Sequence, residues 1–268
     1  MDGMKLRPLG GTGIRVSPIG LGTVKLGRNL GVKYPEPFVI PDDRRATELL
    51  SLAAELGINL LDTAPAYGNS EERLGQLLKE QRRQWVICTK AGEEFDPQTG
   101  GSSYHFTPEH LRMSVARSLK RLQTDYLDIV LIHSDGNDGE IIEKHGALEV
   151  LADLKREGKI RAAGMSTKTV EGGLLAAQNA DCVMVTLNLQ HREELPVIDY
   201  CRQHNKGVLI KKALASGHAA IQPGEDPVRK SFAMIFAQPG VNSAIIGTID
   251  PDHLKENAAK ASEILDRL

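Results

Sequence analysis

The sequence of 268 residues lacks the features by which membrane, nucleic-acid-binding and secreted proteins are recognised. No apolar run approaches the roughly 18 residues of a membrane span. The N-terminus carries Asp2, Lys5 and Arg7 without the apolar core of a signal peptide. The net charge of -2 gives no electrostatic reason to bind nucleic acid or an anionic membrane. We therefore expect a cytoplasmic protein with neither partner.

Cysteine and aromatic residues are also scarce. Cys88, Cys182 and Cys201 have no C-x-x-C spacing and lie within apolar patterns, so we expect reduced, buried side chains. Aromatic residues make up 4% of the chain, which predicts an aliphatic core. Any aromatic residue in a loop is therefore more noticeable than usual.

Short apolar runs recur along the chain, with helical patterns between them. Most are nearly continuous, as expected for parallel strands covered on both faces. The runs are residues 18–23, 59–63, 85–90, 127–133, 160–166, 182–188, 208–213 and 243–248. Helices are predicted over residues 44–56, 108–122, 147–157, 195–205 and 251–268 from their caps, first-turn prolines and terminal glycines.

Eight strand–helix repeats in a chain of this length predict a (β/α)8 TIM barrel, with residues 1–268 forming a single domain. A doubly wound sheet is the alternative, but no G-x-G-x-x-G opens a helix here. Residues 6–19 predict an N-terminal β-hairpin that closes the bottom of the barrel. Two long loops, residues 24–41 and 91–106, follow strands and should lie on the catalytic face.

Polar side chains stand where the apolar runs end, at the edge of a barrel where catalysis takes place. They are Asp62, Tyr67, Lys90 and His133. Each has an ordinary interpretation taken singly: a helix cap, a packing aromatic, a solvated lysine and a structural histidine. Four such coincidences at successive strand ends are much less probable than one shared site.

Together these four side chains have a chemical logic. Tyrosine titrates near 10, and a neighbouring ammonium lowers that pKa while a carboxylate keeps the ammonium charged. Histidine can donate a hydrogen bond to a carbonyl oxygen and orient it. Such a site protonates an oxygen as it becomes an alkoxide. The hydride must come from a nicotinamide cofactor, because no side chain supplies one.

The sequence resembles the aldo-keto reductase family over nearly its whole length. The most specific matches are NLLDTA (59–64), YG (67–68), E (71), LG (74–75), YLDIVLIH (126–133) and GKIRAAGMS (158–166). The resemblance implies a barrel that reduces an aldehyde or ketone to an alcohol with NADPH, NADH being possible. It implies that Tyr67 is the proton donor and that Lys90 and Asp62 adjust the pKa of Tyr67. It also implies that His133 orients the substrate carbonyl group.

The resemblance also places the dinucleotide across the mouth of the barrel. Its implied contacts are Gly22, Thr23, Asp62, Ser166, Thr167, Asn188, Lys211, Leu214, Ser216, Gly247, Thr248, His253, Glu256 and Asn257. A turn opening the last helix offers backbone N–H groups to phosphate oxygens.

Three positions depart from the pattern that is common in the family. His253 stands where an arginine usually holds the 2′-phosphate of NADPH, and neutral imidazole is a weak substitute. Lys211 replaces an aromatic residue that stacks on the nicotinamide, and Met184 replaces a glutamine that binds the carboxamide. Lys211, Lys212 or Lys255 can compensate by contacting phosphate groups.

Aromatic residues in the two long loops suggest a pocket for an apolar or aromatic carbonyl compound, lined by Val24, Tyr34, Phe38, Phe95 and Phe106. The equally weighted alternative is that they fasten the loops to the barrel rim. The chain should act as a monomer or small homo-oligomer on a small-molecule carbonyl substrate.

Two other functions are weaker alternatives. One is a cofactor-binding barrel with a regulatory or redox-sensing role and little turnover. The other is a metal- or phosphate-dependent hydrolase or an aldolase with Lys90 as Schiff-base lysine. This last interpretation leaves Tyr67 unexplained, and no carboxylate–histidine cluster has metal-ligand spacing, so no metal site is expected.

Overall fold

The computed structural model describes residues 4–215, 217 and 226–268. The strands are β1 (Arg7–Pro8), β2 (Arg15–Val16), β3 (Ile19–Gly22), β4 (Leu60–Asp62), β5 (Val86–Ala91), β6 (Glu93–Phe95), β7 (Ser102–Tyr104), β8 (Leu127–His133), β9 (Ile160–Ser166), β10 (Cys182–Thr186), β11 (Gly207–Lys211) and β12 (Ser243–Ile246). The helices are α1 (Val24–Gly27), α2 (Asp43–Glu55), α3 (Ser70–Leu77), α4 (Pro108–Arg121), α5 (Asp138–Glu143), α6 (Ala147–Arg156), α7 (Val170–Asn179), α8 (Leu195–Gln203), α9 (Pro227–Phe236) and α10 (Pro251–Leu265).

Eight parallel strands close into a barrel in the order β3-β4-β5-β8-β9-β10-β11-β12, and β12 pairs with β3 to complete the ring. The strands are almost entirely buried, because helices cover them outside and side chains fill the inside. The predicted (β/α)8 fold is thus confirmed. No helix among the described residues is long and apolar enough to cross a bilayer.

The predicted N-terminal hairpin is formed by β1 and β2, which pair antiparallel. Leu9, Ile14 and Val16 are at most 1% exposed and belong to the same cluster as the side chains inside the barrel. At Gly207, the first residue of β11, an added Cβ would lie 2.6 Å from a methyl carbon of Leu9. The hairpin therefore closes the end of the barrel where the strands begin.

Helix caps follow the sequence signals. The Asp42 side chain accepts a hydrogen bond from Arg45 N at the start of α2, and Thr107 accepts one from His110 N at the start of α4, with Pro108 as the first helical residue. These caps satisfy backbone donors that have no partner inside a helix.

Both long loops contain regular structure. The first begins with the short helix α1, and the second contains the antiparallel hairpin of β6 and β7. Helix α7 was not predicted either, because Gly172 and Gly173 are poor helix formers. An added Cβ at Gly172 would lie 2.1 Å from Asp138 Cβ, and one at Gly173 would lie 2.7 Å from a methyl carbon of Val197, so packing requires both glycines.

Candidate active site

The catalytic end of the barrel brings together the four side chains that the sequence singles out. Asp62 ends β4, Lys90 lies in β5, and His133 ends β8, and these three strands are neighbours. Tyr67 ends the short 3-10 turn Pro65–Tyr67 that follows β4. All four residues line one cleft of about 720 Å³.

Lys90 and Asp62 form a buried ion pair. Lys90 is 2% exposed, and its Nζ donates to Asp62 Oδ1 over 2.6 Å and to the Thr63 carbonyl oxygen over 2.9 Å. The Tyr67 hydroxyl donates to Asp62 Oδ2 over 3.4 Å, and Lys90 Nζ lies 4.7 Å from the centre of the Tyr67 ring. Lys90 is therefore not a solvated lysine, and Asp62 does not cap the helix that follows it.

The pKa of Tyr67 differs from the expectation. Burial, followed by the charge of Asp62, raises the pKa of Tyr67, and the opposing effect of Lys90 is smaller. The expected lowering of this pKa is therefore wrong. Burial lowers the pKa of Lys90, but Asp62 together with Tyr67 and Cys88 reverses that effect and raises it overall. The site holds a protonated phenol beside a permanent ammonium.

His133 stands across the cleft from Tyr67, with ring centres 6.4 Å apart and planes at 85°. Its Nδ1 lies 2.9 Å from Glu93 Oε2. The carboxylate is off the direction of a ring N–H, and Nδ1 has no hydrogen-bond partner among the described residues. Burial lowers the pKa of His133, the charges of Lys90 and Lys211 also lower it, and Glu93 acts to raise it.

Glu93 is carried to this position by the β6–β7 hairpin, where it pairs with Tyr104 in the strand register. Burial opposes its ionisation, but His133, Ser102 and Arg28 outweigh burial and lower the pKa of Glu93 to about 2. Nothing in the sequence pairs Glu93 with His133. The position of its carboxylate depends on the hairpin, which the sequence did not reveal.

Several residues that the resemblance assigns to the cofactor line the same cleft. They are Gly22, Asp62, Ser166, Lys211, Leu214 and Gly247. Gly22 and Gly247 are closely packed: an added Cβ would lie 3.1 Å from an Ile245 methyl carbon at Gly22 and 3.2 Å from the Tyr34 hydroxyl at Gly247. Lys211 donates to Ser166 Oγ over 2.9 Å, and burial, partly offset by Glu194, lowers the pKa of Lys211 to about 8.

Three other assigned residues are buried and bonded within the loops. The Thr23 hydroxyl donates to the Asp62 carbonyl oxygen, and the Thr167 hydroxyl donates to Glu194. The Asn188 amide donates to the Lys212 carbonyl oxygen, and its side-chain oxygen accepts from the backbone of His191. These residues shape the loops around the cleft. Ser216 lies outside the described residues.

The start of α10 is capped by its own sequence. Asp250 Oδ1 accepts from Asp252 N over 2.8 Å and from His253 N over 3.2 Å, so these donors are already satisfied. Thr248 Oγ1 accepts from Asp250 N. Of the remaining assigned residues, His253 and Glu256 have exposed side chains and Asn257 is buried. The expectation of free N–H groups in this turn is not met at Asp252 and His253.

The structure separates the proposed pocket aromatics. Val24 and Tyr34 line the cleft, and Phe38 packs edge-on against Tyr34 at 5.5 Å. Phe95 lies against the Arg28 guanidinium, 4.1 Å from its carbon, and lines a different groove. Phe106 is 7% exposed and stacks on Tyr104. Phe95 and Phe106 thus fasten loops, as the alternative interpretation holds.

Polar side chains that sequence analysis did not single out extend the cleft beyond the ends of β9 and β10. They are Lys168, Thr169, Glu171, His191, Glu193 and Glu194. Their position directly after two barrel strands could have identified them as cleft residues, since loops at this end of a barrel form the active site. Residue type alone did not distinguish them from an ordinary solvated loop.

Comparisons with known proteins agree with this arrangement. Residues 18–232 match the family model described as the Aldo/keto reductase family. The chain is 36% identical to L-galactose dehydrogenase of Arabidopsis thaliana over 303 residues, 98% of this chain and 90% of that one. It is 38% identical to the NADH-specific methylglyoxal reductase of Escherichia coli over 174 residues, 60% of this chain and 51% of that one. A crystal structure assigned to an aldo-keto reductase of Pseudomonas aeruginosa is 57% identical, with 98% of each chain covered and a TM-score of 0.89.

Proposed function

The chain belongs to the aldo/keto reductase family, and on that premise we propose that it interconverts a small carbonyl compound and its alcohol with a nicotinamide dinucleotide. One observation carries the proposal: Tyr67, the Lys90–Asp62 ion pair and His133 meet at one cleft. The cleft volume of about 720 Å³ is within the range of small-molecule sites.

Each side chain has a role that follows from its surroundings. Tyr67 keeps its proton at neutral pH and donates it to the substrate oxygen as negative charge develops there. Lys90 stabilises the phenolate that remains, and Asp62 holds the Lys90 ammonium in place. His133 lies on the opposite side of the cleft and orients the substrate oxygen. A bound nicotinamide would supply the hydride.

Cleft residues fit such a cofactor. Gly22 and Gly247 would contribute backbone groups to the wall of a dinucleotide site, and Ser166 would offer its hydroxyl to the carboxamide. Lys211 places positive charge beside Ser166, where it also stabilises bound anionic groups. Leu214 lines the same cleft and would add an apolar contact.

The start of α10 favours NADH over NADPH. A 2′-phosphate beside His253 would meet the carboxylate of Asp250 at the helix cap. Lys255, the nearby ammonium, is already paired with Asp252 at 3.2 Å. We therefore propose that NADH binds at least as tightly as NADPH, in agreement with the NADH-specific relative from Escherichia coli.

The polar extension of the cleft favours a hydrophilic substrate. Lys168, Glu171, His191 and Glu193 provide donors and acceptors for hydroxyl groups, whereas Phe95 and Phe106 lie elsewhere. We propose a small carbonyl compound that bears hydroxyl or further carbonyl groups. The relatives named for L-galactose and methylglyoxal are consistent with this class.

The test is an absorbance assay of reduced-nicotinamide consumption against matched carbonyl compounds, hydroxylated and purely apolar, with NADH and NADPH in parallel. We expect turnover with both nucleotides, a higher kcat/KM with NADH, and a preference for the hydroxylated compounds. Absence of turnover with every pair would refute the proposed reaction. A preference for apolar compounds would refute only the substrate class.

A further inference from the structure

The contact between His133 and Glu93 has no place in the four-residue site described above. Glu93 Oε2 lies 2.9 Å from His133 Nδ1, and the two side chains are 12% and 18% exposed. The next residue, Glu94, points to another partner, since its Oε1 lies 3.0 Å from His110 Nε2 and also pairs with Arg117. One oxygen of the Glu93 carboxylate, Oε2, therefore faces the His133 imidazole.

The orientation of the His133 ring gives its two nitrogens different surroundings. Nδ1 is buried and has no hydrogen-bond partner among the described residues, although the Glu93 carboxylate is within reach. The two atoms are at hydrogen-bond distance, and only the alignment of the N–H with the carboxylate is missing. The exposed part of the ring lines the cleft, so Nε2 is the nitrogen available to a substrate.

The groups around Glu93 keep it in its charged form. Ser102 and Arg28 support the carboxylate, and the Arg28 guanidinium is itself bonded to the carbonyl oxygens of Leu30 and Ala66. A charged carboxylate accepts hydrogen bonds and cannot donate one. A hydrogen bond between this pair thus requires the proton to reside on Nδ1.

We propose that Glu93 is a positioning residue that keeps a proton on Nδ1 of His133, so that Nε2 donates to a substrate oxygen only when the ring carries two protons. The inference rests on the proposed function, in which His133 orients the substrate oxygen. The neutral ring offers the lone pair of Nε2 to the cleft, where it accepts a hydrogen bond from an alcohol.

The charge of His133, which depends on pH, then determines whether the site supports reduction or oxidation. Below its titration midpoint the imidazolium donates to a carbonyl oxygen and supports reduction. Above the midpoint the neutral ring accepts from a hydroxyl group and supports oxidation. Burial, helped by the ammonium groups of Lys90 and Lys211, lowers the pKa of His133 overall, and Glu93 partly offsets that effect. Tyr67 faces the ring as a neutral phenol.

Nitrogen NMR of the protein alone tests the proton position. In protein labelled on histidine nitrogens, with His133 assigned by comparison with His133→Asn, we expect the neutral ring to carry its proton on Nδ1. Glu93→Gln removes the charge at nearly constant shape, and we expect it to lower the His133 midpoint by about one pH unit. Glu94→Gln removes a carboxylate from the same strand and should leave this midpoint unchanged.

Activity provides a second readout. The rate of carbonyl reduction should fall at high pH, and in Glu93→Gln this fall should move to lower pH by the same amount as the His133 midpoint. Glu94→Gln should keep the wild-type pH–rate profile. A neutral His133 with its proton on Nε2, or equal midpoints in wild type and Glu93→Gln, would overturn the proposal. If the wild-type protein and both variants lack turnover while the NMR result holds, the proposed reaction is wrong and the positioning role stands.

Discussion

At the scale of single residues, the proton on Tyr67 is controlled by the atoms packed around the phenol. Burial and Asp62 raise the pKa of Tyr67, so the hydroxyl keeps its proton at neutral pH. A retained proton is what a donor to a developing alkoxide needs. The ammonium of Lys90, 4.7 Å from the ring centre, then favours the phenolate that is left.

The state of Lys90 argues against the aldolase alternative. A Schiff-base lysine must lose its proton to attack a carbonyl carbon. Lys90 is 2% exposed, is bonded to Asp62 at 2.6 Å, and has a raised pKa. It therefore remains an ammonium and acts through its charge.

The identity of residue 253 should decide how strongly the protein distinguishes the two dinucleotides. His253→Arg places a permanent charge in the first turn of α10, beside the position proposed for the 2′-phosphate. We expect the Kd of NADPH to fall about tenfold, which is about 1.4 kcal/mol, with less than about a twofold change for NADH. Fluorescence titration with both nucleotides measures this.

A matched control is His204→Arg, because His204 is also exposed and follows α8 at the opposite end of the barrel. It should change neither Kd. Equal tightening of both nucleotides by His253→Arg would show that residue 253 is not near the 2′-phosphate.

At the scale of elements, the barrel strands were predictable because they are nearly continuous apolar runs. The predicted run and the observed strand agree over 127–133 and 160–166, and elsewhere the ends differ by at most two residues. Two predicted runs end at Asn188 and Thr248, but both residues belong to loops. Their side chains accept hydrogen bonds from backbone N–H groups of the loops. Hydrophobicity alone does not mark that boundary.

The β6–β7 hairpin was not predictable in the same way. Its strands have three residues each and include Ser102, Ser103 and Glu93, which carry no apolar alternation. The hairpin is held instead by distant contacts, such as Arg28 with the Gly100 carbonyl oxygen and Phe95. The position of the Glu93 carboxylate, and therefore part of the site, depends on those long-range contacts.

The N-terminal hairpin should contribute stability and leave the site unchanged. Leu9 is fully buried against the first residues of the barrel strands. Lys211 lies four residues beyond Gly207 in β11, or about 13 Å at 3.3 Å per residue. We expect Leu9→Ala to lower the free energy of unfolding by about 2–5 kcal/mol with little change in KM, measured by urea denaturation and steady-state kinetics.

Leu268→Ala is the control, because it removes the same atoms from a side chain that is 72% exposed. It should change stability by less than about 0.5 kcal/mol. A loss below about 1 kcal/mol in Leu9→Ala would show that the hairpin does not close the core as described. A large rise in KM would show that the two ends of the barrel are coupled.

At the scale of the whole molecule, the barrel keeps packing and chemistry at opposite ends. The strands begin at the hairpin-closed core and end at the cleft. The grouping of Asp62, Lys90 and His133 could be predicted for this reason: parallel strands of a barrel deliver their last residues to one rim. The conformation of the loops above that rim could not be predicted, because it depends on contacts between segments far apart in sequence.

In the proposed reaction, the Tyr67 hydroxyl supplies the proton when a carbonyl group is reduced in the cleft. The most direct test of this role is single-turnover reduction by wild type and Tyr67→Phe with saturating NADH, together with NADH titration of both proteins. Among the residues that the structure describes, the hydroxyl makes one long hydrogen bond, to Asp62 at 3.4 Å, so phenylalanine should fit. We expect a loss of about 10²–10⁴-fold in the reduction rate with nearly unchanged NADH affinity. A Tyr67→Phe protein that reduces carbonyl compounds at close to the wild-type rate would contradict that role.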